Sequence, residues 1–110
     1  MKKLIILAAL LAGTAHAQFV DGNRLLERMN DESPAQRMHA LGYVLGVLDS
    51  FYGSDICPPD NVQAGQASAV VKQWLNINPD KRHLIASAIV FVALRNAWPC
   101  KQELKPGGKS

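Results

Sequence analysis

Apolar residues recur at helical spacing in four stretches of this 110-residue chain, and no stretch alternates as a strand would. The first stretch runs from about Asn23 to Met29. Leu25, Leu26 and Met29 share one face, and Asp21 stands where it can cap the helix. A helix this short is held by packing rather than by its own propensity. The second stretch carries the strongest pattern. Ser33-Pro34 places a capping residue before a proline at the first helical position, and Gln36 is spaced to reach back to the cap. Leu41, Val44, Leu45, Leu48 and Tyr52 then follow the 3.6-residue period, while Val47 and Phe51 widen the stripe. This predicts a central helix that stops near Gly53. Gly42 and Gly46 lie four apart on one face of it, and each costs about 1 kcal/mol against alanine. Close approach of a neighbouring backbone within the fold is the expected return, with a dimer contact as the alternative.

Gly53 to Asn61 reads as a loop, stiffened by Cys57-Pro58-Pro59-Asp60, where two successive prolines exclude helix. A third helix is predicted from near Gln63 to about Asn76, with Ala67, Val70, Val71 and Trp74 facing one way. Trp74 and Trp98 read as core residues rather than ligand platforms. Asn78-Pro79 is a second cap-plus-proline start, which predicts a fourth helix from there to about Ala97, with a break near His83. Leu84, Ala88, Val92 and Arg95 follow one line, and Ile85, Ile89 and Val90 fill out a nearly all-round apolar surface suited to a core helix. The fold class is therefore all-α: a small single-domain bundle of about four helices. Residues 101–110 hold two adjacent glycines and three lysines and read as a disordered tail.

The N-terminus has a different grammar. Lys2 and Lys3 precede an apolar run from Leu4 to Ala12, and Ala15-His16-Ala17 is a small-x-small site. This is the order of parts in a secretory signal peptide, expected to be cut after Ala17 and to leave a domain over residues 18–100. The run is far shorter than the roughly 20 residues a membrane span needs. Thr14 stands where a lipoprotein would carry cysteine, so no membrane anchor is expected after cleavage. The full chain has 12 basic and 9 acidic residues. Without Lys2 and Lys3 the excess falls to one, and no basic stripe is left to suggest nucleic acid. An exported chain with only Cys57 and Cys100 most simply joins them in one disulfide, with two free thiols as the alternative.

Chemistry is sparse. His39 and His83 are the histidines left after cleavage, and neither stands near a cysteine in sequence. Asp49 lies beside the apolar stripe and reads as a polar core contact. There is no phosphate-binding glycine loop, zinc spacing or haem attachment motif, so no cofactor or metal is expected. No nucleophile comes with a base and an orienting group, so a catalytic site is not expected either.

Five blocks in order add more: Phe19-Val20-Asp21-Gly22-Asn23-Arg24-Leu25-Leu26; Ala40-Leu41-Gly42-Tyr43-Val44-Leu45-Gly46-Val47-Leu48-Asp49; Cys57-Pro58-Pro59; Asn78-Pro79-Asp80-Lys81-Arg82-His83-Leu84; and Ala93-Leu94-Arg95-Asn96-Ala97-Trp98-Pro99-Cys100. Together they resemble the Rap/Tai family of immunity proteins over about residues 19–100. The resemblance implies a periplasmic, helical, non-enzymatic protein, commonly a homodimer, that occludes a peptidoglycan amidase delivered by type VI secretion. A plug of that kind needs a rigid projecting segment. The polar connections supply the expected contacts: Ser54 and Asp55 beside the cysteine loop, and Asn76, Asn78, Asp80, Lys81, Arg82 and His83 between the third and fourth helices. Many members carry a further cysteine pair near the positions of Met29 and Ala40. Both cysteines are absent here together, and apolar packing is expected in their place. A periplasmic chaperone or stress protein, or a housekeeping envelope binding protein, is the alternative reading.

Overall fold

The computed structural model describes residues 19–101. The expected signal peptide and cleavage site, and the expected disordered tail beyond Lys101, lie outside the described residues. Among the described residues four α-helices form: α1 (Gly22–Met29), α2 (Pro34–Phe51), α3 (Ala64–Ile77) and α4 (Ala86–Ala97). Each helix touches the other three. Among the described residues there are no strands, only three isolated bridge pairs. The fold is the expected all-α bundle with one disulfide, Cys57–Cys100.

The core is wholly apolar. Leu25, Val44, Ile56, Val71, Leu75, Ile89, Val90 and Leu94 are essentially inaccessible, and among the described residues no polar or charged side chain is buried. Met29 and Ala40 are buried in the same cluster, the apolar filling expected of them. Asp49, expected to touch the core, is exposed instead.

The helix starts differ in detail from expectation. Asp21 caps α1 as expected: its Oδ1 accepts the Arg24 N–H at 2.8 Å. Ser33 occupies the cap position of α2, but its side chain makes no cap hydrogen bond. Asp31 does the local work, its Oδ1 accepting the Ser33 N–H at 2.8 Å, while Arg37 donates to the carbonyls of Asp31 and Glu32 at 2.7 and 2.9 Å. A back-reaching glutamine does occur at α3, where Gln66 Oε1 accepts the Gln63 N–H at 2.7 Å.

The expected break near His83 is present, and it leaves less helix before it than the Asn78-Pro79 start predicts. Pro79–Lys81 forms a single 3-10 turn, and regular helix resumes only at Ala86. The intervening backbone is claimed by another partner. The Arg82 and Leu84 carbonyls accept the N–H groups of Asn23 and Gly22 at 2.9 and 3.0 Å, and the Ala86 N–H donates to Val20 at 2.8 Å. Residues 82–86 therefore run as a strap alongside 20–23. Carbonyls that point across the strap cannot also point along a helix. One consequence is that Leu84 and Ile85, expected on the apolar surface of a core helix, are 43% and 53% exposed.

Candidate partner-binding surface

The strap and the turn before it form one hydrogen-bonded unit. Asn78 ends α3, sending both its backbone N–H and its Nδ2 to the Trp74 carbonyl at 3.0 and 2.9 Å. Its own carbonyl accepts the Lys81 N–H at 3.0 Å, and the Lys81 carbonyl accepts the Leu84 N–H at 3.2 Å. Arg82 is half-buried, and its Nε donates to the Leu75 carbonyl at 2.7 Å. That bond covers an orphan acceptor in the last turn of α3 with a cation, the charge a helix C-terminus favours.

The other side of the unit is the start of α1. The first N–H groups of a helix have no partner within it. Here Gly22 and Asn23 give theirs to the strap, and Arg24 gives its own to Asp21. The approach is close enough to require glycine. A Cβ at Gly22 would sit 2.6 Å from Ile89 Cδ1 and 2.8 Å from the Arg82 carbonyl oxygen. The strap is thus fixed on one side to α3 and on the other to α1, while Asp80, Lys81 and His83 remain exposed. Asn76, in the last turn of α3, is exposed beside them.

Ser54 and Asp55 lie elsewhere. Gly53 ends α2 with φ +83°, a backbone conformation suited to glycine. Ser54 Oγ then donates to the Phe51 carbonyl at 3.1 Å and lies 3.2 Å from Asp55 Oδ2. This loop is tied to the C-terminal end of α4 by the disulfide and by the Cys57 N–H, which donates to the Trp98 carbonyl at 2.8 Å. The strap sits at the opposite end of α4. A 12-residue helix is about 18 Å long, so the structure separates the two predicted clusters rather than joining them.

Two grooves flank α4, and Ala88 borders both. The larger, about 630 Å³, lies between α2 and α4 and is lined by Gly42, Gly46, Tyr43, Phe51 and Phe91 among others. A Cβ at Gly42 or Gly46 would meet nothing within 4 Å. The expectation that these glycines admit a neighbouring backbone of the same fold is therefore overturned: they face open space. Phe51 and Phe91 in its lining meet edge to face, 4.6 Å between centroids.

The second groove, about 290 Å³, lies between α3 and α4 and is lined by Trp74, Lys81, Leu84, Ala88, Ile89 and Val92. Trp74 is half-buried rather than enclosed. It also lines a smaller hollow of about 160 Å³ with Val70, Gln73, Ile77 and Ala93. Ile77 is 67% exposed at its edge. Sequence reading takes Trp74 for core and misses this patch. The available signal is Ile77, three residues after Trp74 and just before a polar turn, where a fully buried helix end has no further need of an apolar residue.

Among the described residues no cluster of histidine, cysteine, aspartate or glutamate could hold a metal ion. His39 is exposed, with Nδ1 3.3 Å from Arg28 Nη1. No helix of the described residues is long and apolar enough to cross a membrane.

No curated protein matches the chain. The model of one protein family, the Rap1a immunity proteins, matches residues 21–100, from the Asp21 cap to the disulfide's second cysteine. That family is one of generally non-enzymatic proteins that bind a protein effector. The match spans the whole bundle, strap and disulfide included, and this chain accordingly belongs to the Rap1a immunity protein family.

Proposed function

We propose that this chain is a periplasmic immunity protein that binds a peptidoglycan amidase delivered by type VI secretion and blocks its active-site groove. Residues 1–17 direct export and are removed after Ala17. The mature protein acts by occupancy and has no catalytic role. Homodimerisation belongs to the same reading, and sedimentation velocity on the mature protein checks it.

The observation that supports this reading best is the strap at residues 82–86 with the turn that precedes it. An inhibitor that projects into a groove gains affinity when the projecting segment is already ordered, because little conformational entropy is lost on binding. The 78–85 segment is ordered from both sides and still presents Asp80, Lys81 and His83 to solvent. In this reading those three side chains and Asn76 make the principal contacts. Asn78 and Arg82 hold the turn in place, and Ser54 and Asp55 contribute at a distance.

The test is inhibition of a purified cysteine–histidine peptidoglycan amidase by the mature protein. Replacing Asp80, Lys81 and His83 together with alanine should weaken inhibition at least tenfold and leave thermal unfolding where it is. Unchanged inhibition by the triple variant rejects the contact set, and wild-type protein without inhibitory effect rejects the amidase as target.

A further inference from the structure

We infer that the apolar patch around Trp74, formed by Ile77, Leu84 and Val92 and rimmed by Lys81, is the anchoring part of the effector interface and receives an apolar side chain of the effector flanked by a carboxylate. The inference rests on the immunity reading above and extends it from the polar turn to the surface beside it.

Three observations carry it. The first is exposure. Ile77 and Leu84 stay 67% and 43% accessible although the bundle has an apolar core in reach. A single exposed apolar residue is ordinary, but two on either side of a half-buried tryptophan make a contiguous surface. The second is shape. Trp74 forms a ridge between a hollow of about 160 Å³ and a groove of about 290 Å³, and each has room for a side chain. Interface anchors concentrate at tryptophan and at such hollows, while the surrounding contacts mainly exclude water. The third is charge. Lys81 lines the groove and forms no ion pair among the described residues; their single ion pair joins Arg24 to Glu27. A lone ammonium at the rim of an apolar groove is complemented by a carboxylate next to the entering apolar group.

The patch is continuous with the turn. Lys81 belongs to both, and Leu84 begins where the strap turns toward α1. A partner seated on the Asp80–His83 turn therefore meets Trp74 and Leu84 next. The α2–α4 groove is larger but has no charged residue in its lining, so it offers no comparable complement.

The probe is the same purified amidase, titrated with mature wild-type protein and with variants whose folding is checked by circular dichroism. I77D/L84D should weaken binding at least tenfold; I77S/L84S, a gentler change at the same two positions, should do so by a smaller factor. G46L, in the other groove, should leave binding unchanged. K81E should weaken binding more than K81M, and both losses should shrink toward each other as salt rises. Wild-type binding that survives in I77D/L84D overturns the patch and leaves the amidase reading standing. Equal effects of K81E and K81M overturn the carboxylate. A change in sedimentation coefficient of I77D/L84D without the amidase assigns the patch to a second copy of this chain and overturns the inference. Absence of wild-type binding removes the amidase reading, and the inference falls with it.

Discussion

The two ends of α4 solve the same problem by different means. At its C-terminal end the Cys57 loop is held by a covalent bond to Cys100 and one backbone hydrogen bond to Trp98, and the Ser54 and Asp55 side chains bond only within their own turn. At its N-terminal end the 78–85 segment has no covalent tie and is held by hydrogen bonds to both α1 and α3. A disulfide limits where the chain can go, mostly by restricting the unfolded state. A network of backbone bonds fixes where each carbonyl points in the folded state. Rigidity of the second kind is what a projecting recognition segment needs, and Asp80, Lys81 and His83 are exposed on the segment that has it.

The comparison can be broken at either end. The largest effect is expected from C57A/C100A. The bridge closes a separation of 43 residues, for which chain entropy gives about 4 kcal/mol. Urea unfolding should register a loss of that order, while amidase inhibition by the fraction that stays folded should survive. Next is G22A at the other end. Two of the three atoms nearest the added methyl are backbone and the third belongs to the buried Ile89 side chain, so overpacking near the upper end of its usual range, about 3 kcal/mol, is expected. Here stability and inhibition should fall together, because the strap must move. The smallest is R82M, which removes the guanidinium–Leu75 bond and keeps the aliphatic stem. A hydrogen bond from a charged donor is worth about 2 kcal/mol. In R82M the Gly22 and Asn23 amides should exchange hydrogen faster than in wild type. Protection unchanged at those two amides would mean that the strap holds without its arginine.

Much of this was legible in the sequence, and the reasons are specific. Periodicity placed α1, α2 and α3 within a residue or two, because each buries one stripe and local spacing records which. The disulfide followed from two cysteines in a chain expected to be exported. The break near His83 was legible, but its width and its cause were not. Asn78-Pro79 is a sound local helix start, but the bonds that stop it come from Val20, Gly22 and Asn23, about 60 residues earlier in the chain. No local pattern records such a partner. The role of Arg82 was hidden in the same way: in sequence it is one of three basic residues in a row, and only the fold brings it to the Leu75 carbonyl. Gly42 and Gly46 misled for the opposite reason. Their spacing correctly marks a face without side chains, but spacing does not say whether anything faces it.

The absent second cysteine pair has an effect on how the chain matures. Four cysteines can pair in three ways, whereas two can pair in only one. With Met29 and Ala40 buried as apolar core residues and Cys57 and Cys100 already paired, oxidation of a single molecule has no wrong isomer to form. Such a chain needs an oxidant to finish folding but no proofreading by a disulfide isomerase.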